Sequence, residues 1–223
     1  MKIKNVWAVI PAYNEEKSIS GIVRKTKKYI PNVIVVDDGS RDRTRQLAEN
    51  AGAIVMRHII NIGKGAALKT GCDFAAKKKA NYIVALDADA QHDPKDIPRF
   101  LEKLKSHDIV FSYRKPSRKM PIVLRFGNWL ISFVVAVLYG VKLKDTQSGY
   151  RAFSIQAYEK IRWNASDYSM ESEMISRAAK KRLKYTQIPI RTIYSDKYKG
   201  TTVIDGVKIV LNMVWWKLFN GRQ

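Results

Sequence analysis

Three oxygen-bearing side chains follow an apolar segment in the first half of the chain. The run Ile83–Leu86 leads into Asp87, Asp89 and Gln91, which occupy every second position. In an extended segment, alternating side chains point to one side. Oxygen ligands without thiolates suit Mg²⁺ or Mn²⁺, which proteins hold through a few carboxylates together with the phosphates of a substrate. The spacing therefore predicts a divalent metal site made by these three residues.

Two further polar clusters also follow short apolar segments. Asp37 and Asp38 come directly after Val33–Val36, and adjacent carboxylates at a buried strand end cost desolvation unless a polar group binds them. A nucleotide base or a ribose hydroxyl is such a partner. The alternative is that Asp38 or Ser40 simply caps the next helix. Further along, Lys64 stands between two glycines and could meet a phosphate at a helix N-terminus.

Alternating strands and helices must position these side chains. Apolar runs predict strands at Val6–Ile10, Val33–Val36, Ala53–Arg57, Tyr82–Leu86 and Ile109–Phe111. Amphipathic segments predict helices at Glu15–Tyr29, Arg41–Ala51, Gly65–Lys79 and Pro94–Lys105. This order is typical of an α/β domain whose mostly parallel sheet carries helices on both faces, with ligands at the carboxyl ends of the strands. Because no internal repeat or Gly/Ser linker interrupts the chain, we expect one domain with a less regular second half.

Charge and cysteine content narrow the class of protein. The 41 Lys and Arg outnumber the 20 Asp and Glu, which gives a net charge of +21 and favours an anionic partner: nucleic acid, an acidic membrane leaflet or a phosphorylated substrate. The single cysteine, Cys72, excludes an intrachain disulfide and fits a reducing compartment. The three histidines lack the spacing of a zinc site.

The second half contains two apolar segments beside basic residues. Between residues 112 and 144 there are seven Lys or Arg and no acid, and Trp129–Tyr139 is apolar on nearly every helical face. Such a helix is either buried in protein or placed in lipid, and its basic flanks and terminal aromatics favour the edge of an anionic membrane. Val203–Phe219 has the same character. Neither segment has the roughly 20 apolar residues that a spanning helix needs.

Five motifs together resemble the family 2 glycosyltransferases, which have the GT-A nucleotide-sugar-binding fold. They lie in the family's order over about two thirds of the chain: Ile10-Pro-Ala-Tyr-Asn-Glu-Glu16, Val36-Asp-Asp-Gly-Ser-Arg-Asp-Arg-Thr44, Asn61-x-Gly-Lys-Gly65, Asp87-Ala-Asp-Ala-Gln91 and Asp145-Thr-Gln-Ser-Gly-Tyr-Arg151. Within the family, the last two motifs, with Ser112-Tyr113-Arg114 and Arg125, resemble the dolichol and polyprenyl-phosphate mannose and glucose synthases.

The resemblance implies a reaction and a cofactor. A hexose would pass, with inversion, from GDP-mannose or UDP-glucose to a polyprenyl (dolichyl) phosphate at the membrane surface, with Mg²⁺ or Mn²⁺ bound to the diphosphate. The nucleotide-sugar site would comprise Pro11, Tyr13, Glu15, Asp37, Asp38, Lys64 and Asp87.

The same resemblance assigns the remaining site residues. Asp87, Asp89 and Gln91 would hold the metal ion. Arg114 and Arg125 would grip the acceptor phosphate, and Asp145 would lie near the reacting sugar. We therefore predict Asp89, Arg114, Arg125 and Asp145 as catalytic.

A domain plan and a location follow from this reading. One glycosyltransferase domain would span residues 1–223, with a nucleotide-sugar half at 1–112 and an acceptor half at 113–223. The acceptor half would lie on the membrane through interfacial helices at about 120–141 and 203–219. The protein would be cytoplasmic and peripheral at the cytoplasmic face of an anionic membrane. Whether a separate membrane protein completes the enzyme is left open.

Some departures and alternatives remain. The family's Gly-Ser-Arg is Ser112-Tyr113-Arg114 here. The mannose synthases' late Arg-x-x-Gly-x-Ser-Lys loop is replaced by Tyr194–Gly200, which favours the glucose-type or unassigned relatives over the mannose synthases. A soluble family 2 enzyme acting on a sugar hydroxyl would need a general base, and Asp145 could serve. A basic nucleic-acid-binding protein is less favoured because no recognised module is visible, so no nucleic acid is expected. A nucleotidyltransferase is the least favoured alternative, because it would need a Gly-rich loop after the first strand and none follows Val9-Ile10.

Overall fold

The computed structural model describes residues 4–114 and 122–191, together with residues 208, 210–213, 215 and 217, which are helical. Of residues 122–126 and 128 only the backbone is described. The Tyr194–Gly200 loop and most of the predicted helix at 203–219 lie outside the described residues.

Seven strands and seven α-helices form the described part of the chain. The strands are β1 Val6–Ala12, β2 Asn32–Asp37, β3 Ile54–Arg57, β4 Tyr82–Ala85, β5 Ile109–Arg114, β6 Arg151–Ser154 and β7 Tyr185–Ile190. The helices are α1 Ile19–Lys27, α2 Thr44–Asn50, α3 Lys64–Lys77, α4 Ile97–Leu104, α5 Ile122–Tyr139, α6 Ile155–Ile161 and α7 Met170–Lys180. All five predicted strands and all four predicted helices of the first half are present, whereas β6 and β7 were not predicted.

The predicted start of α1 at Glu15 is wrong. The helix begins at Ile19, because the preceding backbone bonds to the loop after β2 instead. The amide of Glu15 donates to Thr44 Oγ1 at 2.7 Å, and that of Glu16 donates to Asp42 Oδ2 at 3.1 Å. These bonds hold the loop after β1 against the loop after β2.

The strands form one sheet in the order β3-β2-β1-β4-β6-β5-β7. Every neighbouring pair is parallel except the two pairs that involve β6, which runs against β4 and β5. The predicted mostly parallel sheet is therefore confirmed. Because β6 is reversed, the loop that enters β6 lies at the same edge as the carboxyl ends of the other strands.

Helices cover both faces of the sheet, as predicted. One apolar cluster joins the sheet to α3, α5, α6 and α7, and the other joins it to α1, α2 and α4. Helix α5 contributes Ile131 and Val135 to the core, but Trp129, Phe133 and Val137 on its other side are 52–65% exposed. The helix is thus a core helix on one side only. No helix in the described residues is long and apolar enough to cross a membrane.

Helix α3 lies unusually close to the sheet at Gly71. A Cβ placed there would be 2.3 Å from Val9 Cγ1 and 3.1 Å from Val36 Cγ2. We expect Gly71→Ala to lower the free energy of unfolding by about 1–3 kcal/mol, because either the helix or β1 must shift. Urea unfolding followed by circular dichroism measures this change.

The matched control is Gly21→Ala in α1, where a Cβ would meet nothing within 4 Å. This variant should be neutral or more stable by up to about 1 kcal/mol, since alanine favours the helix. Equal effects of the two substitutions would contradict the close packing of α3 on β1.

Candidate active site

A cavity of about 650 Å³ opens at the carboxyl edge of the sheet. Its walls come from the segments after β1, β2 and β4, the start of α3, the end of β5, and the loops that precede β6 and α7. Nine of the predicted site residues line it: Pro11, Tyr13, Glu15, Asp38, Lys64, Asp87, Asp89, Gln91 and Arg114. Asp37 and Asp145 lie outside the lining, and the side chain of Arg125, in the first turn of α5, lies outside the described residues.

Lys64 lies between two carboxylates. Its Nζ is 2.8 Å from Asp87 Oδ1 and 3.3 Å from Glu171 Oε1. Burial alone would lower the pKa of Lys64, but the charges of Asp87 and Glu171 raise it above its ordinary value. Burial would likewise raise the pKa of Asp87, yet Lys64, helped by His92, lowers it to about 2. Lysine and aspartate are therefore both charged at neutral pH.

Asp89 has a different environment although it is two residues from Asp87. Its Oδ1 accepts a hydrogen bond from the Gln91 amide at 2.9 Å, and no cation of the described residues forms an ion pair with it. Burial and the charge of Asp87 raise the pKa of Asp89 to about 6. Two neighbouring carboxylates, one without a cation, suit a hard divalent ion. The described residues contain no group of three His, Cys, Asp or Glu that could hold a metal ion, and proteins commonly complete such coordination with water or with the phosphates of a substrate.

The predicted extended geometry of this motif is wrong. Strand β4 ends at Ala85, and the following residues form a turn in which Ala90 has a φ of 61°. The turn, rather than strand alternation, brings Asp87, Asp89 and Gln91 to the same cavity.

Asp38 is buried and bonded to the loop before α3. Its Oδ1 accepts a hydrogen bond from the Ile62 amide at 3.0 Å, and its Oδ2 accepts one from the Gly63 amide at 2.8 Å. The chain itself therefore supplies polar partners for this carboxylate, and the contact of Asp37 or Asp38 with a nucleotide base stays a prediction. Neither Asp38 nor Ser40 caps α2, so the capping alternative is wrong.

The first turn of α3 is covered by backbone carbonyls. A Cβ on Gly63 would lie 2.4 Å from the Ser166 oxygen, and one on Gly65 would lie 2.5 Å from another carbonyl oxygen of the same segment. The Ala66 amide donates to the Ser166 oxygen at 3.2 Å. The two glycines thus admit the segment before α7 close to the start of the helix. Lys64 meets carboxylates in this structure, and its contact with a phosphate stays a prediction.

Arg114 and Asp145 form a bidentate ion pair at the end of β5. Arg114 Nε is 2.6 Å from Asp145 Oδ2, and Nη2 is 3.1 Å from Oδ1. The Gln147 amide also donates to Oδ1, at 3.1 Å. Asp145 therefore has both oxygens engaged, which opposes a role as general base and instead fixes the guanidinium at the cavity.

The loop before β6 packs against Asp87. A Cβ on Gly149 would lie 2.4 Å from Asp87 Oδ2, so any other residue there would displace the Asp87 carboxylate. Behind the loop, Arg151 is 1% exposed and donates from Nη2 to the Ser148 carbonyl at 2.6 Å. His92 lines the cavity 3.8 Å from Asp87 Oδ2, and burial lowers its pKa to about 4. The imidazole is therefore neutral at pH 7.

The described residues near the carboxyl end contact the rim of the cavity. Lys208 Nζ is 2.6 Å from Oδ2 of Asp167, which lines the cavity together with Tyr168. The hydroxyl of Tyr139 in α5 donates to the Met213 carbonyl at 2.7 Å. The two helices predicted to be interfacial are thus joined to each other and to the site.

Sequence reasoning missed Glu171, Asp167 and Tyr168. Acids at the start of a helix usually interact with the helix dipole, so the position of Glu171 in the first turn of α7 gave no reason to assign it to the site. One signal was available, because Glu171 lies on the same helical stripe as the apolar Ile175 and Ala178. A carboxylate on an apolar stripe needs a buried cation, and the cation lies far away in the sequence.

Comparisons with known proteins identify relatives of the whole chain. A family model described as Glycosyl transferase family 2 matches residues 7–192. A protein of Methanococcus voltae named UDP-N-acetylglucosamine--dolichyl-phosphate N-acetylglucosaminyltransferase is 34% identical, over 98% of this chain and 98% of its own length. An undecaprenyl-phosphate mannosyltransferase of Micrococcus luteus is 28% identical over 96% and 94% of the two chains.

Solved structures share the fold. Glucosyl-3-phosphoglycerate synthase from Mycobacterium tuberculosis, in complex with phosphoglyceric acid, has a TM-score of 0.75 at 20% identity and covers 94% of this chain and 79% of its own. The same enzyme in complex with Mn²⁺, uridine diphosphate and glucosyl-3-phosphoglycerate has a TM-score of 0.72 at 22% identity, over 97% and 79%. At this identity the likeness concerns the fold alone.

The raised pKa of Asp89 predicts a cost to folding. The pKa of Asp89 is raised from its ordinary value of 3.8 to about 6, so between these two pH values the native state binds more protons than the unfolded state. Asp89 therefore lowers the free energy of unfolding as the pH rises through that range. Asp89→Asn keeps an acceptor for the Gln91 amide but carries no charge. We expect its free energy of unfolding at pH 7 to exceed that of the unchanged protein by about 1–2 kcal/mol.

Urea unfolding at pH 7 and at pH 4 tests this prediction. The difference should shrink at pH 4, where Asp89 is protonated in the native state and no longer repels Asp87. A gain of the same size at both pH values, or a loss at pH 7, would contradict the assignment of a strained, ionised Asp89.

Proposed function

The chain belongs to glycosyl transferase family 2, and from this premise we propose that it transfers a sugar from a nucleotide-diphosphate donor to a polyprenyl (dolichyl) phosphate. It is a glycosyltransferase with a single domain of the GT-A fold. The relatives named for dolichyl and undecaprenyl phosphate support this class of acceptor. The observation that carries the proposal is that one cavity joins the carboxylates of Asp87 and Asp89 to the guanidinium of Arg114.

The donor would occupy the cavity along its β1 side. Pro11, Tyr13 and Glu15 would flank the base and the ribose, and Asp87 would face the ribose. The sequence favours GDP-mannose or UDP-glucose, and the name of the Methanococcus voltae relative adds UDP-N-acetylglucosamine as a third candidate.

The carboxylates after β4 would hold Mg²⁺ or Mn²⁺. Asp87 and Asp89 supply anionic oxygens, and Gln91 adds an amide oxygen at the same cavity. The solved neighbours with Mn²⁺ or Mg²⁺ and uridine diphosphate support a cofactor of this kind. A bound divalent ion would act as a Lewis acid on the charge that develops on the leaving diphosphate.

The acceptor phosphate would react without a general base. Its oxygen forms a bond to the anomeric carbon while the bond from that carbon to the diphosphate oxygen breaks, which inverts the configuration. A lipid phosphate is already ionised near pH 7, so no proton has to be removed. Arg114, oriented by Asp145, would bind the phosphate and reduce its repulsion from the donor. Arg125 would add a second guanidinium.

The exposed side of α5 would rest on the membrane. Trp129, Phe133 and Val137 repeat every fourth residue and form one exposed apolar stripe, which we call the α5 stripe. On the carboxyl-terminal helical residues, Leu211 and Trp215 are 65% and 58% exposed. Basic residues nearby would attract an anionic leaflet, at roughly 1 kcal/mol each.

This surface supports the domain plan and the location. We propose that residues 1–112 bind the nucleotide sugar and that residues 113–223 carry the acceptor and membrane contacts. The protein would lie peripherally at the cytoplasmic face of the membrane, with or without a separate membrane protein.

Transfer can be tested directly. We expect purified protein with Mn²⁺ and a short polyprenyl phosphate to form a glycolipid from one of UDP-N-acetylglucosamine, GDP-mannose and UDP-glucose, detected by mass spectrometry. Asp89→Asn should lower the rate by about a hundredfold or more, because Lewis-acid stabilisation is worth several kcal/mol. Asp73→Asn is the matched control, since Asp73 pairs with Arg162 away from the cavity and should leave the rate unchanged.

Other results would favour the alternatives. Release of the nucleotide without a glycolipid would point to a hydroxyl acceptor. Inactivity with all three donors, combined with tight and salt-sensitive RNA binding, would contradict the proposal in favour of a nucleic-acid-binding protein.

Membrane contact through the α5 stripe has its own test. We expect Val137→Asp to lower partitioning onto anionic vesicles by about tenfold or more, because the apolar burial of one valine is worth about 1.5 kcal/mol. Flotation with anionic and with neutral vesicles measures the bound fraction. Tyr29→Asp is the control, since this tyrosine is 42% exposed and follows α1 on the other face of the sheet. Equal losses in both variants would show that the stripe is not the contact surface.

A further inference from the structure

Glu171 is a buried carboxylate with unused bonding capacity. It is 1% exposed, and neither of its carboxylate oxygens has a hydrogen-bond partner among the described residues. Among the described residues, the cation within ion-pair distance of Glu171 is Lys64, at 3.3 Å, and the buried Arg151 adds a further favourable charge. Burying an acceptor without a hydrogen bond costs free energy. The fold nevertheless places this group beside Lys64, which also contacts Asp87.

Lys64 cannot neutralise the Asp87 carboxylate in every state of the proposed enzyme. In the structure, its ammonium group lies 2.8 Å from Asp87 Oδ1 and neutralises that carboxylate. A divalent ion on Asp87 would replace this neutralisation and would repel a lysine left close by in a region of low dielectric. A buried lysine that loses its anion needs another one.

We propose that Glu171 is a positioning residue, which forms the ion pair with Lys64 when Asp87 binds a divalent cation. This inference rests on the metal site of the proposed function. Because the Lys64 nitrogen already lies within ion-pair distance of both carboxylates, the exchange needs only small rotations near the end of its side chain. The ring of Tyr168, 5.7 Å from the same nitrogen, bounds the space on another side. No helix has to move.

The exchange predicts how variants bind Mn²⁺ in the absence of any transfer. Glu171→Gln leaves Lys64 with Asp87 as its anion, so Lys64 competes harder with the metal, and we expect the Kd for Mn²⁺ to rise about tenfold or more. Lys64→Met removes the competitor and should lower the Kd. In the Lys64→Met background, Glu171→Gln should then change the Kd little. Electron paramagnetic resonance of free Mn²⁺, with uridine or guanosine diphosphate present, measures each Kd.

Glu159→Gln is the matched control, because Glu159 is exposed on α6 and should leave the Kd unchanged. An unchanged Kd in Glu171→Gln would overturn the inference. An equal rise with and without Lys64 would also overturn it, since Glu171 would then act independently of the lysine. Where Glu171→Gln does not fold, Glu171→Asp keeps the charge at a greater distance and should raise the Kd by a smaller factor, and no rise would overturn the inference.

Failure of the inference is separable from failure of the proposed function. If the protein without substitutions binds no Mn²⁺ in the presence of either nucleotide, both the metal site and the proposed exchange are overturned. Because binding is measured without an acceptor, failure of glycolipid formation would not affect the test of Glu171.

Discussion

The ion pair between Lys64 and Asp87 is the constraint on which the cavity depends. A charge buried alone would cost several kcal/mol, so the ion pair ties the start of α3 to the end of β4. Glu171 extends the pair to α7, and Arg151 brings a second buried cation from β6. Two acids and two bases thus come together from four elements. Moving α3 or the end of β4 would separate Lys64 from Asp87 and leave a buried charge without its nearest counterion.

The reversed strand β6 makes this arrangement possible. In a fully parallel sheet, the loop that enters a strand lies at the amino edge, far from the carboxylates that follow β4. Because β6 runs antiparallel between β4 and β5, its entering loop reaches the carboxyl edge and places Gly149 directly against Asp87. The same loop carries Asp145 to Arg114 at the end of β5. One reversal of chain direction therefore supplies both the cover over the proposed metal ligands and the support for the guanidinium.

Local sequence patterns predicted the strands whose residues form a continuous apolar run. Strands β1, β2 and β4 are short apolar runs, so their positions followed from composition alone. Strand β6 begins with the charged Arg151, and β7 contains polar Thr186 and Gln187, so neither shows the apolar signal of a buried strand. Nine cavity residues were predicted from the sequence, mainly because they lie at or just after the ends of strands.

The partners of those residues could not be predicted, since each is distant in sequence. Asp38 bonds to the loop before α3, and Lys64 pairs with Glu171 on α7.

Helix α5 shows a related limit of sequence-based prediction, because an apolar pattern on every face does not tell which side of the helix the core covers. A membrane-bound acceptor would account for the exposed apolar side of α5. Apolar side chains in water lower solubility unless a surface covers them, and a polyprenyl phosphate presents its reactive group only at such a surface. Since Tyr139 and Lys208 connect these helices to the cavity rim, contact with the bilayer would bring the acceptor phosphate to the side of the cavity where Arg114 is fixed.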